Sequence, residues 1–110
     1  MSKTSPITII WKLTQYDPGR QGRGVVDALT FNKGNIELNN GDPLKAIEYY
    51  KKILSFKENN EVVLNNLSYA YFKLEDYANS EKLILKAINI NKNNNYFYHN
   101  LGNLYKRISK

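Results

Sequence analysis

The chain has 110 residues, 42% of them hydrophobic and 13% aromatic, so it can bury a core and is not a disordered tail. It has no cysteine and one histidine, which excludes disulfides and thiolate metal sites and leaves little for any metal centre. A net charge of +6 and a pI near 9.5 suit acidic peptides, nucleic acid or anionic lipid as partners, or simply a soluble surface rich in lysine.

The first 26 residues differ from the rest. They carry Lys3, Lys12, Arg20 and Arg23 against Asp17, a net charge equal to that of the much longer remainder. Residues 7–14 are β-branched and aromatic, the composition of a strand. The apolar run 7–11 is too short for the core of a signal peptide or for a bilayer span, and a cytoplasmic location is the expectation. Tyr16, Asp17, Pro18 and Gly19 form a turn signal, and Gly19, Gly22 and Gly24 interleaved with Arg20 and Arg23 read as a basic linker. These glycines match neither a Walker loop nor a dinucleotide fingerprint. An isolated strand has open edges, so the arm should cap the first helix, pair with another copy, or stay unordered.

From residue 27 the apolar period changes from 2 to 3.6. A first helix is expected over 27–40, ended by Gly41 in a left-handed conformation. Asp42 should cap a second helix that has Pro43 in its first turn and Ala46, Ile47, Tyr50, Ile53 and Leu54 on one face. Asn59 or Asn60 caps a third helix, Asp76 a fourth, and the run Asn93, Asn94, Asn95 opens a fifth.

One phrase recurs through this region. It begins at Asn32, Asn66 and Asn100, each 34 residues after the last, and each is followed two residues later by Gly34, Ser68 or Gly102. A fixed period of this length in helix-forming sequence marks a solenoid of helix pairs. Ala46 and Ser80 are also 34 apart and supply small residues from the second helix of each pair.

With Leu64, Leu67, Tyr71, Ile84, Ala87 and Gly41 in their places, the pattern resembles the tetratricopeptide repeat (TPR) family over residues 27–110. Repeat 1 covers about 27–60, repeat 2 about 61–94, and a partial repeat 3 about 95–110. Lys33, Glu37, Ser80, Glu58 and Lys92 depart from the family pattern. The resemblance implies an all-α, right-handed α-α superhelix of about five helices, preceded by an extended or strand-like arm. It also implies a binding scaffold without cofactor or catalytic residues, whose first helices line a concave groove for a protein or peptide segment.

Carried over position by position, the groove residues are Asn32, Asn35, Asn66, Tyr69, Lys73, His99, Asn100, Asn103 and Arg107, accompanied by Ala28, Phe31, Leu38, Asn39, Val62, Asn65, Phe72, Tyr96 and Lys106. Asn32, Asn66 and Asn100 stand in register, and a carboxamide offers a donor and an acceptor that match a peptide unit. The family's clamp for a C-terminal carboxylate keeps its two asparagines here as Asn35 and Asn66. Its three cationic positions hold Phe31, Tyr96 and Asn100, so charge-assisted binding of a carboxylate is not expected. Lys73, Lys106 and Arg107 make one groove end basic and favour an acidic or aromatic-bearing ligand.

His99 has no accompanying nucleophile and orienting group, so the residues do not point to an enzyme. The glycosylation triplet Asn66, Leu67, Ser68 falls on a packed helix and is discounted. The array ends half-way through its third repeat with Leu101, Tyr105 and Ile108 on its last helix. Homo-oligomerisation through that helix or the arm is therefore the alternative function; no membrane association is expected, and nucleic-acid binding through the basic arm ranks below both.

Overall fold

The computed structural model of the chain describes residues 11–13 and 25–109. Most of the expected strand, the turn at 16–19 and the Gly/Arg linker lie outside the described residues. Five helices follow one another: α1 Val25–Asn39, α2 Pro43–Leu54, α3 Glu61–Lys73, α4 Tyr77–Ile90 and α5 Asn95–Ser109. Among the described residues there is no strand, and no helix is long and apolar enough to cross a membrane. The first helix begins two residues before the sequence expectation, at Val25. Each helix packs on the next, and α1 also touches α3, the stacking of a helical repeat.

The two helical pairs turn by the same local chemistry. At the end of α1, Gly41 sits at φ 93°, its N–H donates to Leu38 O at 3.3 Å, and Asp42 N–H donates to Glu37 O at 2.8 Å. This is a Schellman motif, in which a left-handed residue lets the last carbonyls be satisfied. Asp42 then opens α2 by accepting from Lys45 N–H, with Pro43 where its missing N–H costs nothing. Thirty-four residues later Glu75 takes the left-handed conformation at φ 63°. Its N–H donates to Phe72 O and Asp76 N–H donates to Tyr71 O, both at 2.9 Å. Asp76 in turn opens α4 by accepting from Asn79 N–H. Asn60 caps α3 through Val62 and Val63 N–H, and Asn94 accepts from Tyr96 N–H at the start of α5.

Small residues set the spacing inside each pair. In the first, a Cβ on Gly34 would lie 2.6 Å from Cε1 of Tyr50, so only glycine lets the buried ring approach α1. In the second, Ser68 and Ser80 meet instead, both fully buried. Ser68 Oγ–H donates to Ser80 O at 2.7 Å, and Ser80 Oγ–H donates to Ser68 O at 2.9 Å. The departure from alanine at residue 80 is thus matched by a reciprocal hydroxyl pair that leaves neither polar group unsatisfied. Gly102 differs from the expectation of close approach: a Cβ there meets nothing within 4 Å, since no described helix packs over that side of α5.

The core has two lobes. Phe31, Leu38, Ala46, Tyr50, Val63 and Leu67 join α1, α2 and α3. Leu64, Phe72, Ile84, Ala87, Phe97 and Leu104 join α3, α4 and α5, and Trp11 is a member of this second lobe.

Candidate functional site

The first helices of the successive pairs, α1, α3 and α5, present a line of asparagines. Asn35 on α1, Asn65 and Asn66 on α3, and Asn100 on α5 are joined by their side chains. Asn100 Nδ2 donates to Asn65 Oδ1 at 2.7 Å, Asn65 Nδ2 donates to Asn66 Oδ1 at 3.0 Å, and Asn66 Nδ2 donates to Asn35 Oδ1 at 3.2 Å. Tyr50 closes the line by donating its hydroxyl to the same Asn35 oxygen. Burial pushes the Tyr50 phenol well above its ordinary pKa, with the hydrogen bond to Asn66 opposing that in part, so the hydroxyl stays protonated as a donor. Asn65, Asn66 and Asn100 are fully buried, and a buried carboxamide must find partners for its two N–H groups and its oxygen. The line meets that demand by running in one direction across three helices.

Its α5 end holds a main chain. Asn100 Oδ1 accepts from Lys12 N–H at 2.9 Å while Asn100 Nδ2 donates to Lys12 O at 3.0 Å. Asn65 Nδ2 donates to the same Lys12 oxygen at 2.9 Å. One carboxamide thus reads both backbone groups of a residue 88 positions away.

Beside this pair lies an aromatic pocket. Trp11, 7% exposed, stacks on Tyr69 with ring centroids 5.4 Å apart and leans on Phe72 at 4.8 Å. Tyr77 backs Phe72 at 5.7 Å, and the Arg107 guanidinium lies 5.1 Å from the Phe72 ring centroid. Burial also raises the Tyr69 phenol above its ordinary pKa. Leu13, half-buried, packs against both core lobes, whereas the Lys12 side chain is exposed. Three hydrogen bonds at about 1 kcal/mol each and burial of the indole at about 3 kcal/mol stand against about 3–6 kcal/mol for ordering three residues. The hold is therefore shallow.

The residues expected in the groove are distributed as follows. Asn100 and Tyr69 touch the segment directly. Asn66 and Asn35 lie one and two steps behind it in the asparagine line. Asn32 is exposed, so the in-register trio does not act as three equal rungs. Asn65, one position before Asn66, makes the contact that the register assigned to Asn66. Lys73 Nζ donates to Leu38 O at 3.2 Å and lies 5.6 Å from the centroid of Tyr69, tying α3 to α1 at the rim. Arg107 covers Phe72 and reaches the Tyr77 hydroxyl at 3.5 Å. His99 is exposed and Asn103 is half-buried. Phe31 and Leu38 are wholly inside the first core lobe and do not line the groove. Residues 11–13 of the arm pack on α3 and α5, and Leu13 also reaches the first core lobe. No rule of local sequence could have placed them, because the contacts span 53 and 88 residues. The one available signal was the lone tryptophan in the apolar, β-branched stretch 7–14.

The sequence profile of the tetratricopeptide repeat matches residues 29–60 and 62–94, two adjacent copies that meet at the α2–α3 junction. The chain belongs to the tetratricopeptide repeat family. A TPR repeat-containing protein of Methanocaldococcus jannaschii is 37% identical over 76 residues, which cover 68% of this chain and 13% of that relative. The chain therefore spans a small part of that relative's length. TPR domains in general mediate protein–protein interaction, and the asparagine line runs across the first helices of the successive pairs, α1, α3 and α5.

Proposed function

We propose that this TPR domain is an interaction scaffold, not an enzyme, that holds an extended segment of a partner protein in its groove. The observation that carries the reading is the pairing of the Asn100 carboxamide with both backbone groups of Lys12. That pairing binds any non-proline residue through groups common to all of them. The neighbouring Tyr69 and Phe72 rings add affinity for a large apolar side chain.

The test uses the 110-residue chain carrying Trp11→Ala, which has no tryptophan of its own. The probe is a synthetic peptide with the sequence of residues 7–14, whose single indole then reports alone. Saturable blue-shifted emission is expected, and adding Asn100→Ala should weaken binding at least about tenfold, since a buried peptide N–H loses its acceptor and the C=O one of its two donors. Thermal melting of both variants separates lost binding from lost folding. Unchanged indole emission in the presence of the folded Trp11→Ala chain would defeat the proposal.

A further inference from the structure

Trp11, Lys12 and Leu13 send their side chains to alternate sides: Trp11 is buried on Tyr69 and Phe72, Lys12 is exposed, and Leu13 wedges between the core lobes. An extended backbone produces this alternation, with residues i and i+2 on one side. The middle residue gives the groove only its N–H and C=O, both taken by Asn100, with Asn65 sharing the oxygen. Side-chain selection therefore falls on the first and third positions. Resting on the groove reading above, we infer that the groove selects an extended aromatic–any–aliphatic tripeptide, and that the chain's own copy of it is the occupant a partner segment must displace.

Two observations make the built-in copy replaceable. The Trp11 indole N–H is buried and finds no acceptor among the described residues. A buried donor without a partner weakens the complex it belongs to. A phenylalanine offers the same two rings an apolar face and brings no such donor, so a partner carrying it fits this pocket better than the chain's own residue. The second observation is the tether. Eleven residues, 14–24, lie between Leu13 and the first residue of α1. A short tether presents its ligand at an effective concentration of about millimolar, so the built-in copy outcompetes dilute, poorly matched segments and yields to a well-matched one. The groove is self-blocked against weak ligands, and the threshold for entry is set by Trp11, Lys12 and Leu13.

Trp11 is the sole tryptophan, so its emission reports directly on occupancy of the groove in the unmodified 110-residue chain. The probes are two synthetic hexapeptides, Ile-Ile-Phe-Lys-Leu-Thr and a control with serine in place of its phenylalanine and leucine. Blue-shifted Trp11 emission is expected at every protein concentration. It should move to the red as the Phe peptide is added and stay put with the control. By calorimetry the Phe peptide should bind the Trp11→Ala chain at least about tenfold tighter than the unmodified chain, because a buried aromatic anchor has been taken from the competitor. Equal affinity for the two chains overturns self-occupancy while leaving the groove reading intact. Displacement by the control peptide overturns the selection of first and third positions. A blue shift that vanishes on dilution overturns the intramolecular assignment and puts the segment in the groove of a second copy. If the Phe peptide binds neither chain and both are folded, the groove reading fails and the inference falls with it.

Discussion

Gly34 and Gly102 occupy equivalent positions 68 residues apart, yet alanine should act on them with opposite sign. At Gly34 the new methyl would lie 2.6 Å from Tyr50 Cε1 and 3.0 Å from both Cδ1 and Cζ. Carbon atoms settle at about 3.5–4.0 Å, so the ring has to withdraw by about 1 Å. It has no free direction, because Tyr50 is fully buried, leans on Phe31 at 5.9 Å and is tied through its hydroxyl to Asn35. Overpacking of this kind costs about 1–3 kcal/mol, against which alanine returns about 1 kcal/mol of helix propensity. Three ring atoms are struck together, so the cost belongs in the upper half of its range and the net loss is about 1–2 kcal/mol. In a domain of this size that is a fall of about 5–15 °C in melting temperature. At Gly102 there is nothing within 4 Å, and alanine should keep only the propensity gain of about 1 kcal/mol. Urea denaturation of both single variants, followed by circular dichroism at 222 nm, measures the pair. A neutral or stabilising Gly34→Ala, or a shared sign at the two sites, would refute the claim that close approach of α1 to Tyr50 requires glycine.

Two further outcomes follow from the turns and the buried phenol. Glu75→Gly should raise stability by about 0.5–1 kcal/mol, because a side chain at φ 63° carries left-handed strain that glycine avoids at a smaller entropic cost, and the midpoint of urea denaturation reads it. Tyr50→Phe should cost about 1 kcal/mol at neutral pH through the lost hydrogen bond to Asn35, and should also change the alkaline limb of stability. Burial raises the folded pKa of Tyr50, so the unfolded chain releases its proton first, near pH 10. The phenol's contribution is then fully present below pH 10 and lost as pH rises beyond it, at up to about 1.4 kcal/mol per pH unit. Denaturation midpoints between pH 9 and 11 should fall less steeply in Tyr50→Phe than in the unmodified chain, and parallel limbs would count against the buried-phenol argument.

What was legible in the sequence is what short-range chemistry decides. Asp42, Asn60 and Asp76 cap helices through N–H groups two or three residues away, so type and spacing sufficed to find Asp42 and Asp76 and to narrow the third cap to Asn59 or Asn60. Gly41 announced its left-handed turn, and the period of 34 then transfers that geometry to Glu75, where residue type alone would not suggest it. The helix starts at Val25 and not at 27, because Gly24 closes the linker signal and two β-branched valines are weak helix formers whose propensity is overridden. The groove was legible as a face and not as a set of contacts. Periodicity indicates which side of α3 looks into the groove. It does not indicate that Asn65 turns to α5 and Asn66 to α1, since adjacent helix positions diverge by about 100° and only the neighbours present decide which matters.

The same reasoning explains why three asparagines in one register do three different things. A repeat position fixes the direction of a side chain relative to its own helix, and its surroundings then depend on which helices flank it. Asn66 on the central α3 has α1 on one side and Asn65 on the other, so it is fully buried and serves as a relay, with both its oxygen and its amide engaged. Asn100 on α5 meets Asn65 on one side and the main chain of Lys12 on the other, so it becomes the residue that holds the arm segment. Asn32 on α1 stands exposed, and Asn35, one turn further along, is the residue that reaches Asn66. The line from Tyr50 to Lys12 thereby connects the core of the first repeat to the arm segment at its α5 end. The three asparagine-to-asparagine bonds all donate from α5 toward α1 and end on the Asn35 oxygen, which Tyr50 also donates to, so Asn66 cannot turn its carboxamide over without setting oxygen against oxygen at Asn35 and N–H against N–H at Asn65. The orientation of Asn100 toward the Lys12 main chain is therefore held from the first repeat's core through Asn35, Asn66 and Asn65, the last of which also donates to the Lys12 oxygen.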